Sequence, residues 1–234
     1  MSALQQARDM PWYHTLQLPG VETKGIFDLR PYVDTYGLPE DMSGMRVLEV
    51  GTWDGFWAFE MERRGAEVVA LDLDDEAALD WPVRRRPTTF PEVKRGRGFF
   101  VAKELLDSKV ERVVCSIYNA TPEELGKFDL VFCGSVLIHL RDQLLALEHI
   151  GALCTGQFIS AEEYEPRLNL LPWPVSRSYV RRDSAVVYWL PNIRCWKELI
   201  WAAGFDRVEE KGRFKMQSSQ DYSVRHVVLH GHKS

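Results

Sequence analysis

The sequence predicts a doubly wound α/β fold. A mostly parallel sheet of seven strands is expected, with an N-terminal cap segment over residues 1–42 and a late lid insertion over about 164–190 of the domain spanning 43–234. Three observations carry this reading. Short, valine-rich apolar runs alternate with stretches of helical spacing, which implies parallel strands joined by helical crossovers. A glycine-bounded turn, Gly51-Thr-Trp-Asp-Gly55, follows the first apolar run. An aspartate, Asp72, closes the second run 21 positions after Gly51.

Each element follows in order. Trp12, Tyr13, Pro19, Gly20, Gly25, Pro31 and Pro39 mix aromatics with turn formers and suggest a packed cap without long regular elements. Met45–Val50 is apolar and short enough for a buried strand, and helical spacing runs from Gly55 to Arg64, with Gly65 placed to end it. Glu67–Asp72 is the second strand. Pro82, Pro87 and Pro91 break any long helix between 81 and 98, leaving an irregular excursion. Residues 99–108 are helical, 110–117 and 128–133 are strands, 141–150 is a helix and 154–161 a fifth strand. Residues 164–190 are aromatic and proline-containing without a clear period. A helix over 192–203 stops before Gly204, and strands lie near 205–210 and 222–230.

Hydrophobic residues make up 45% of the chain and charged residues 27%, a globular balance that excludes disordered and fibrous classes. No apolar run approaches the roughly 18–20 residues of a membrane span, and MSALQQARDMPWYH has no apolar leader stretch. A cytoplasmic protein without membrane contact is expected. The net charge of -5 argues against broad nucleic-acid binding. A local basic patch exists at Arg84, Arg85, Arg86, Lys94, Arg95 and Arg97, read as a solvated loop. Cys115, Cys133, Cys154 and Cys195 form no CxxC pair and read as free thiols. His226, His230 and His232 lack identifiable further ligands, so no metal is assigned. The oligomeric state stays open.

In sheets of this kind ligands bind beyond the carboxyl ends of the strands. Gly51 lets the backbone approach a ligand without a Cβ clash, and the helix that follows offers free N–H groups. A carboxylate at Asp72 can accept hydrogen bonds from ribose hydroxyls. That pairing serves both dinucleotides and S-adenosyl-L-methionine. Two details favour the latter: Trp53 stands where G-x-G-x-x-G needs its second glycine, and Glu49 ends an apolar strand, where it can order the turn around the cofactor's amino-acid end.

VLEVGTWDGFWAFEMERRGAEVVALDLDD resembles motif I and the acidic second-strand motif of class I S-adenosylmethionine-dependent methyltransferases, whose sheet is Rossmann-like. More narrowly, WYHTLQLPGVETKG, GTWDGFWAFE, GSVLIHLRD and YWLPN are similar to the group containing the tRNA wobble-uridine (carboxy)methyltransferases and shorter relatives. The resemblance implies S-adenosyl-L-methionine as cofactor, leaving as S-adenosyl-L-homocysteine. Gly51, Thr52 and Gly55 are then expected to line the methionine and ribose portion, with Trp53 as a cover. Asp72 binds the ribose and Leu73 packs on the adenine, with Ser116 and Ile117 at its edge. Cys133, Gly134 and Ser135 approach the amino group and sulfonium.

Methyl transfer needs alignment and exclusion of water, plus a base when the acceptor must lose a proton. His139, after the fourth strand, is the leading base; a cap or core hydrogen bond fits it equally. His14 in the cap is second. Tyr13, Glu162, Tyr179, Arg181, Tyr188, Trp189 and Asn192 are expected around the acceptor, and Arg181 or Arg182 would serve a carboxylated donor. Arg141 and Asp142 are read as helix-starting residues. A small-molecule acceptor is the leading expectation. A tRNA wobble uridine is the alternative, and a noncatalytic scaffold or a nicotinamide enzyme stands further off.

Overall fold

In the computed structural model of the chain, residues 1–90, 95–180 and 186–234 are described. Seven strands form the central sheet: β1 (Arg46–Val50), β2 (Glu67–Asp72), β3 (Glu111–Val114), β4 (Phe128–Gly134), β5 (Cys154–Glu163), β6 (Arg207–Gln217) and β7 (Ser223–His232). Their spatial order is β6-β7-β5-β4-β1-β2-β3. All neighbours from β5 through β3 pair in parallel, whereas β7 runs antiparallel to both β5 and β6. The expected doubly wound, mostly parallel sheet is therefore the observed one.

The helices are α1 (Ala3–Asp9), α2 (Phe56–Arg63), α3 (Arg97–Leu106), α4 (Pro122–Leu125), α5 (Gln143–Leu153) and α6 (Ile193–Ala202). Strand side chains alternate between two cores because successive Cβ atoms point to opposite faces. Leu130 and Phe132 of β4 join Phe59, Met61 and Phe99 of α2 and α3 on one face. Val131 and Cys133 join Leu147, Ile150, Trp196 and Ile200 of α5 and α6 on the other. Burial on both faces is why the central strands read as continuous apolar runs rather than alternating ones.

Predicted boundaries agree within a few residues except at the last strand pair. β6 extends to Gln217, beyond the expected 210, because it is a sheet edge; its Glu-Glu-Lys-Gly-Arg-Phe-Lys stretch keeps one face in water and hides the strand in a hydropathy reading. β3 is shorter than 110–117, since Ser116 turns out of the sheet and caps a 3-10 turn over Ile117–Asn119, its Oγ accepting from Tyr118 N. Gly65 follows the end of α2 with a φ of +101° and Gly204 follows α6 at +93°. Asp142 caps α5 by accepting from Leu145 N at 3.0 Å.

The N-terminal segment contains α1, a parallel pair of short strands over Trp12–His14 and Gly25–Phe27, and a tight hairpin between them. The pair is packed so closely that a Cβ on Gly25 would stand 2.2 Å from the His14 carbonyl carbon and 2.3 Å from Thr15 N. Backbone cannot yield as a flexible side chain can. Gly25→Ala is expected to lower stability by about 1–3 kcal/mol in urea unfolding; an unchanged midpoint would show that the cap strands part without cost.

Candidate functional site

The strand order reverses between β4 and β2, on either side of β1, and that switch point is where such sheets bind ligands. A cavity of about 760 Å³ opens there, across the carboxyl ends of β1, β2, β4 and β5. This is within the range of small-molecule sites.

The turn after β1 builds its floor. Gly51 has a φ of +81°, and a Cβ on it would reach 2.2 Å from Val136 Cγ2. Only glycine fits. Trp53 also takes a left-handed φ, +48°. Its amide donates to Asp72 Oδ2 at 2.7 Å, while its indole is held between the Tyr13 ring, 4.5 Å away, and the Arg95 guanidinium, 3.9 Å above its face. A bulky residue is thus accommodated at the second-glycine position by stacking partners from outside the turn. Gly55 caps α2 behind the cavity, where a Cβ would meet the Phe59 and Phe99 rings at 2.4 and 2.8 Å. Thr52 is fully buried and likewise does not line the cavity. Both shape the turn rather than its surface.

On one side lie Asp72, Leu73, Ser116 and Ile117, joined by Trp81 and Tyr118. Glu49 reaches the cavity from β1; burial pushes its carboxyl up to about 8, and Oε2 is buried without a partner. An orphaned buried oxygen beside a glycine cradle and a ribose-competent carboxylate fits the ammonium, backbone approach and sugar of an adenosyl amino acid. Gly134 and Ser135 border the same space.

On the other side the walls are aromatic and apolar: Phe27, Leu29, Tyr36, Trp57, Phe132 and Met216. Tyr13, His14, Glu163 and Tyr222 add polar atoms. Asp54 positions two of them, its Oδ2 accepting Tyr13 N at 2.7 Å and His14 N at 3.0 Å. Burial drives the His14 imidazole down to about 3 and the Tyr13 phenol upward, so both stay neutral near pH 7. Burial raises the Glu163 carboxyl to about 7.

His139 lines the cavity after β4. Its Nδ1–H donates to the Val186 carbonyl, because a carbonyl can only accept. The neutral ring therefore carries its lone pair on Nε2, and burial, first among the causes, lowers its pKa. Ser135, at a φ of +57°, places Oγ 2.7 Å from His226 Nε2; burial holds His226 down at about 4.

Several expected site residues lie elsewhere. Glu162 is buried beneath the wall, its Oε1 accepting Val136 N and Leu137 N, each at 3.0 Å; its neighbour Glu163 faces the cavity instead, as strand alternation requires. Cys133 points into the sheet's far core, its thiol 3.9 Å from Glu162 Oε1. Asn192 caps α6, accepting Cys195 N at 2.8 Å, and ties down the insertion by donating to Leu168 O and Trp173 O. The Tyr188 hydroxyl donates to Asp80 O and Trp189 Nε1 to Arg141 O, so both brace the excursion and the start of α5. Tyr179 does not line the cavity. Arg181 and Arg182 lie outside the described residues, as does Lys94.

Trp57 and Tyr36, which line the cavity, and Asp54, which supports it, were not singled out by the pattern reading, and Arg95, read as part of a solvated loop, lines the cavity instead. Asp54 had a usable signal, an acid inside the glycine-bounded turn. Among the described residues Glu209, His230 and His232 approach one another. His230, however, uses Nδ1 toward Gln157 and donates Nε2–H to Tyr36 O, leaving no lone pair for a metal.

Sheet order, floor turn and acidic second-strand end together define the class I methyltransferase architecture. The chain belongs to a family described as "Methyltransferase domain", whose model matches residues 28–210. It is 33% identical over 104 residues to a magnesium-protoporphyrin O-methyltransferase of Rhodobacter capsulatus, covering 44% of this chain and 38% of that protein. To a ubiquinone biosynthesis O-methyltransferase of Xanthomonas oryzae pv. oryzae it is 31% identical over 102 residues, covering 44% and 35%. The matched segment thus spans little more than a third of these relatives. The N-terminal domain of EvdMO1, solved in the presence of SAH and D-fucose, shares the fold with a TM-score of 0.70 at 17% identity, over 99% of this chain and 95% of that one. The narrower likeness to the wobble-uridine group rests on the sequence motifs alone.

The raised Glu163 carboxyl has a measurable consequence. Between its ordinary value near 4.5 and about 7 only the folded state holds the proton, so stability present at acid pH is eroded as pH rises through that window. Glu163→Gln removes the titration. In urea unfolding its stability should match wild type near pH 4.5 and exceed it by on the order of 2 kcal/mol at pH 8.5; equal differences at both pH values would contradict the assignment.

Proposed function

We propose that the protein transfers a methyl group from S-adenosyl-L-methionine to a small-molecule acceptor held at the aromatic end of the cavity. The observation that carries this reading is continuity: one cavity joins Asp72 and Glu49 to the chamber of Phe27, Tyr36, Trp57 and Glu163. Asp72 receives the ribose hydroxyls, Leu73 and Ile117 flank the base, Gly51 admits the backbone-hugging chain, and Glu49 Oε2 accepts from the ammonium. When bound, the cofactor supplies an electrophilic methyl on its sulfonium.

The chain's own residues do the rest. The cap and the aromatic walls exclude water and orient the acceptor toward Ser135. His139, neutral and with Nε2 free of hydrogen bonds among the described residues, takes the proton that an oxygen or nitrogen acceptor releases. The named activities of the two O-methyltransferase relatives support a small acceptor. Residues 1–42 serve as a cap on the domain that follows. No helix among the described residues is long and apolar enough to cross a membrane, which is compatible with a cytoplasmic site of action.

Two measurements test this. Calorimetry should show S-adenosyl-L-homocysteine binding that Asp72→Ala weakens by about 1–3 kcal/mol; unchanged affinity would remove the sugar-binding role. His139→Ala should lower product formation with a panel of phenols and amines while keeping cofactor affinity, and undiminished turnover would exclude it as the base.

A further inference from the structure

The cavity wall holds a cation, Arg95, to which the methyl transfer outlined above gives no task. Its backbone amide donates to Asp74 O at 3.0 Å, and its guanidinium lies on Trp53. Its Nε is buried with no hydrogen-bond partner. Two acids close by are committed elsewhere. Asp74 pairs with Arg112 at 2.5 Å, and Asp54 accepts the Tyr13 and His14 amides. Among the described residues no carboxylate closes an ion pair with Arg95. Its charge is felt around the cavity: it opposes the burial-driven rise of the Tyr13 phenol, adds to the burial-driven lowering of the His139 imidazole, and favours the ionised Asp54 carboxyl.

A guanidinium drawn partly out of water without a carboxylate in direct contact is unfavourable, and its planar fork matches a carboxylate geometrically. Stacking on an aromatic face fixes the orientation of that fork in advance. We propose that Arg95 is a carboxylate-binding residue of the cavity, its guanidinium held on Trp53 to receive the carboxylate of a bound ligand. Two sources share this chemistry: the amino-acid end of the adenosyl donor and an acidic group on the acceptor. The inference rests on the proposed nucleoside binding.

The test uses the full chain as wild type, Arg95→Met and Arg95→Lys. Calorimetry compares S-adenosyl-L-homocysteine with 5′-methylthioadenosine, which keeps the nucleoside and lacks the amino acid. Protein saturated with S-adenosyl-L-homocysteine is then titrated with benzoate and with benzyl alcohol. A donor carboxylate predicts that Arg95→Met loses at least tenfold in affinity for the homocysteine compound, stays within twofold for the methylthio compound, and is partly restored by Arg95→Lys. An acceptor carboxylate predicts nucleoside affinities unchanged, with benzoate binding present in wild type and lost in Arg95→Met, while benzyl alcohol is insensitive. Equal losses for both nucleosides, or no change with either nucleoside and no Arg95-dependent benzoate binding, would overturn the proposal. Wild type binding neither nucleoside would overturn the methyltransferase reading, and this inference with it.

Discussion

The rest of the site depends on one carboxylate, Asp54, accepting two consecutive backbone amides from the cap. It sits between two left-handed residues, Trp53 and Gly55, so the same turn that floors the cavity also aims this side chain at the N-terminal segment. Burial lifts its carboxyl to about 6, and the two amides pull the other way. Space around it is so limited that a Cβ on Gly98 would stand 2.3 Å from Oδ1. Docking the cap here sets Tyr13 beside Trp53 and puts His14 into the wall. Without it, the aromatic end of the cavity would lose one side.

Buried acids of similar type have unlike roles, and their placement relative to the cavity decides which. Glu162 satisfies two amides of the turn leaving β4 and so holds Ser135 in its left-handed conformation. Glu49 and Glu162 each keep an orphaned Oε2, but of the two Glu49 is the one that lines the cavity. Asp80 receives the Tyr118 hydroxyl at 3.2 Å and the Arg141 amide at 2.7 Å, joining the proline-rich excursion to α5. Counting acids near strand ends could not have sorted these. Glu49 and Asp72 line the cavity, whereas Glu162 lies behind its wall, and that placement separates ligand contact from architecture.

The sheet was legible because its central strands are buried on both faces and its turns carry Gly51, Gly65 and Gly204, whose positive φ values match their expected turn roles. One side of the cavity was legible for the same reason: Gly51, Asp72, Leu73, Ser116 and Ile117 lie at or just beyond strand ends and line it. The aromatic side was harder. Tyr13 and His14 were found because they lie in one strand, but Tyr36, Trp57 and Met216 come from distant segments and look like ordinary core residues. Tyr188, Trp189 and Asn192 misled for the opposite reason. Their polar atoms are spent on Asp80, Arg141 and the α6 cap, partnerships that span tens of residues and leave no local pattern.

Trp53, Trp57 and Trp81 all line the cavity, out of eight tryptophans in the chain. One of them is clamped between a phenol ring and a guanidinium. Emission from an excited indole shifts with the polarity and charge of its surroundings. The protein therefore carries its own optical gauge of occupancy, and light absorbed by its native chromophores can follow the filling of the site without a label.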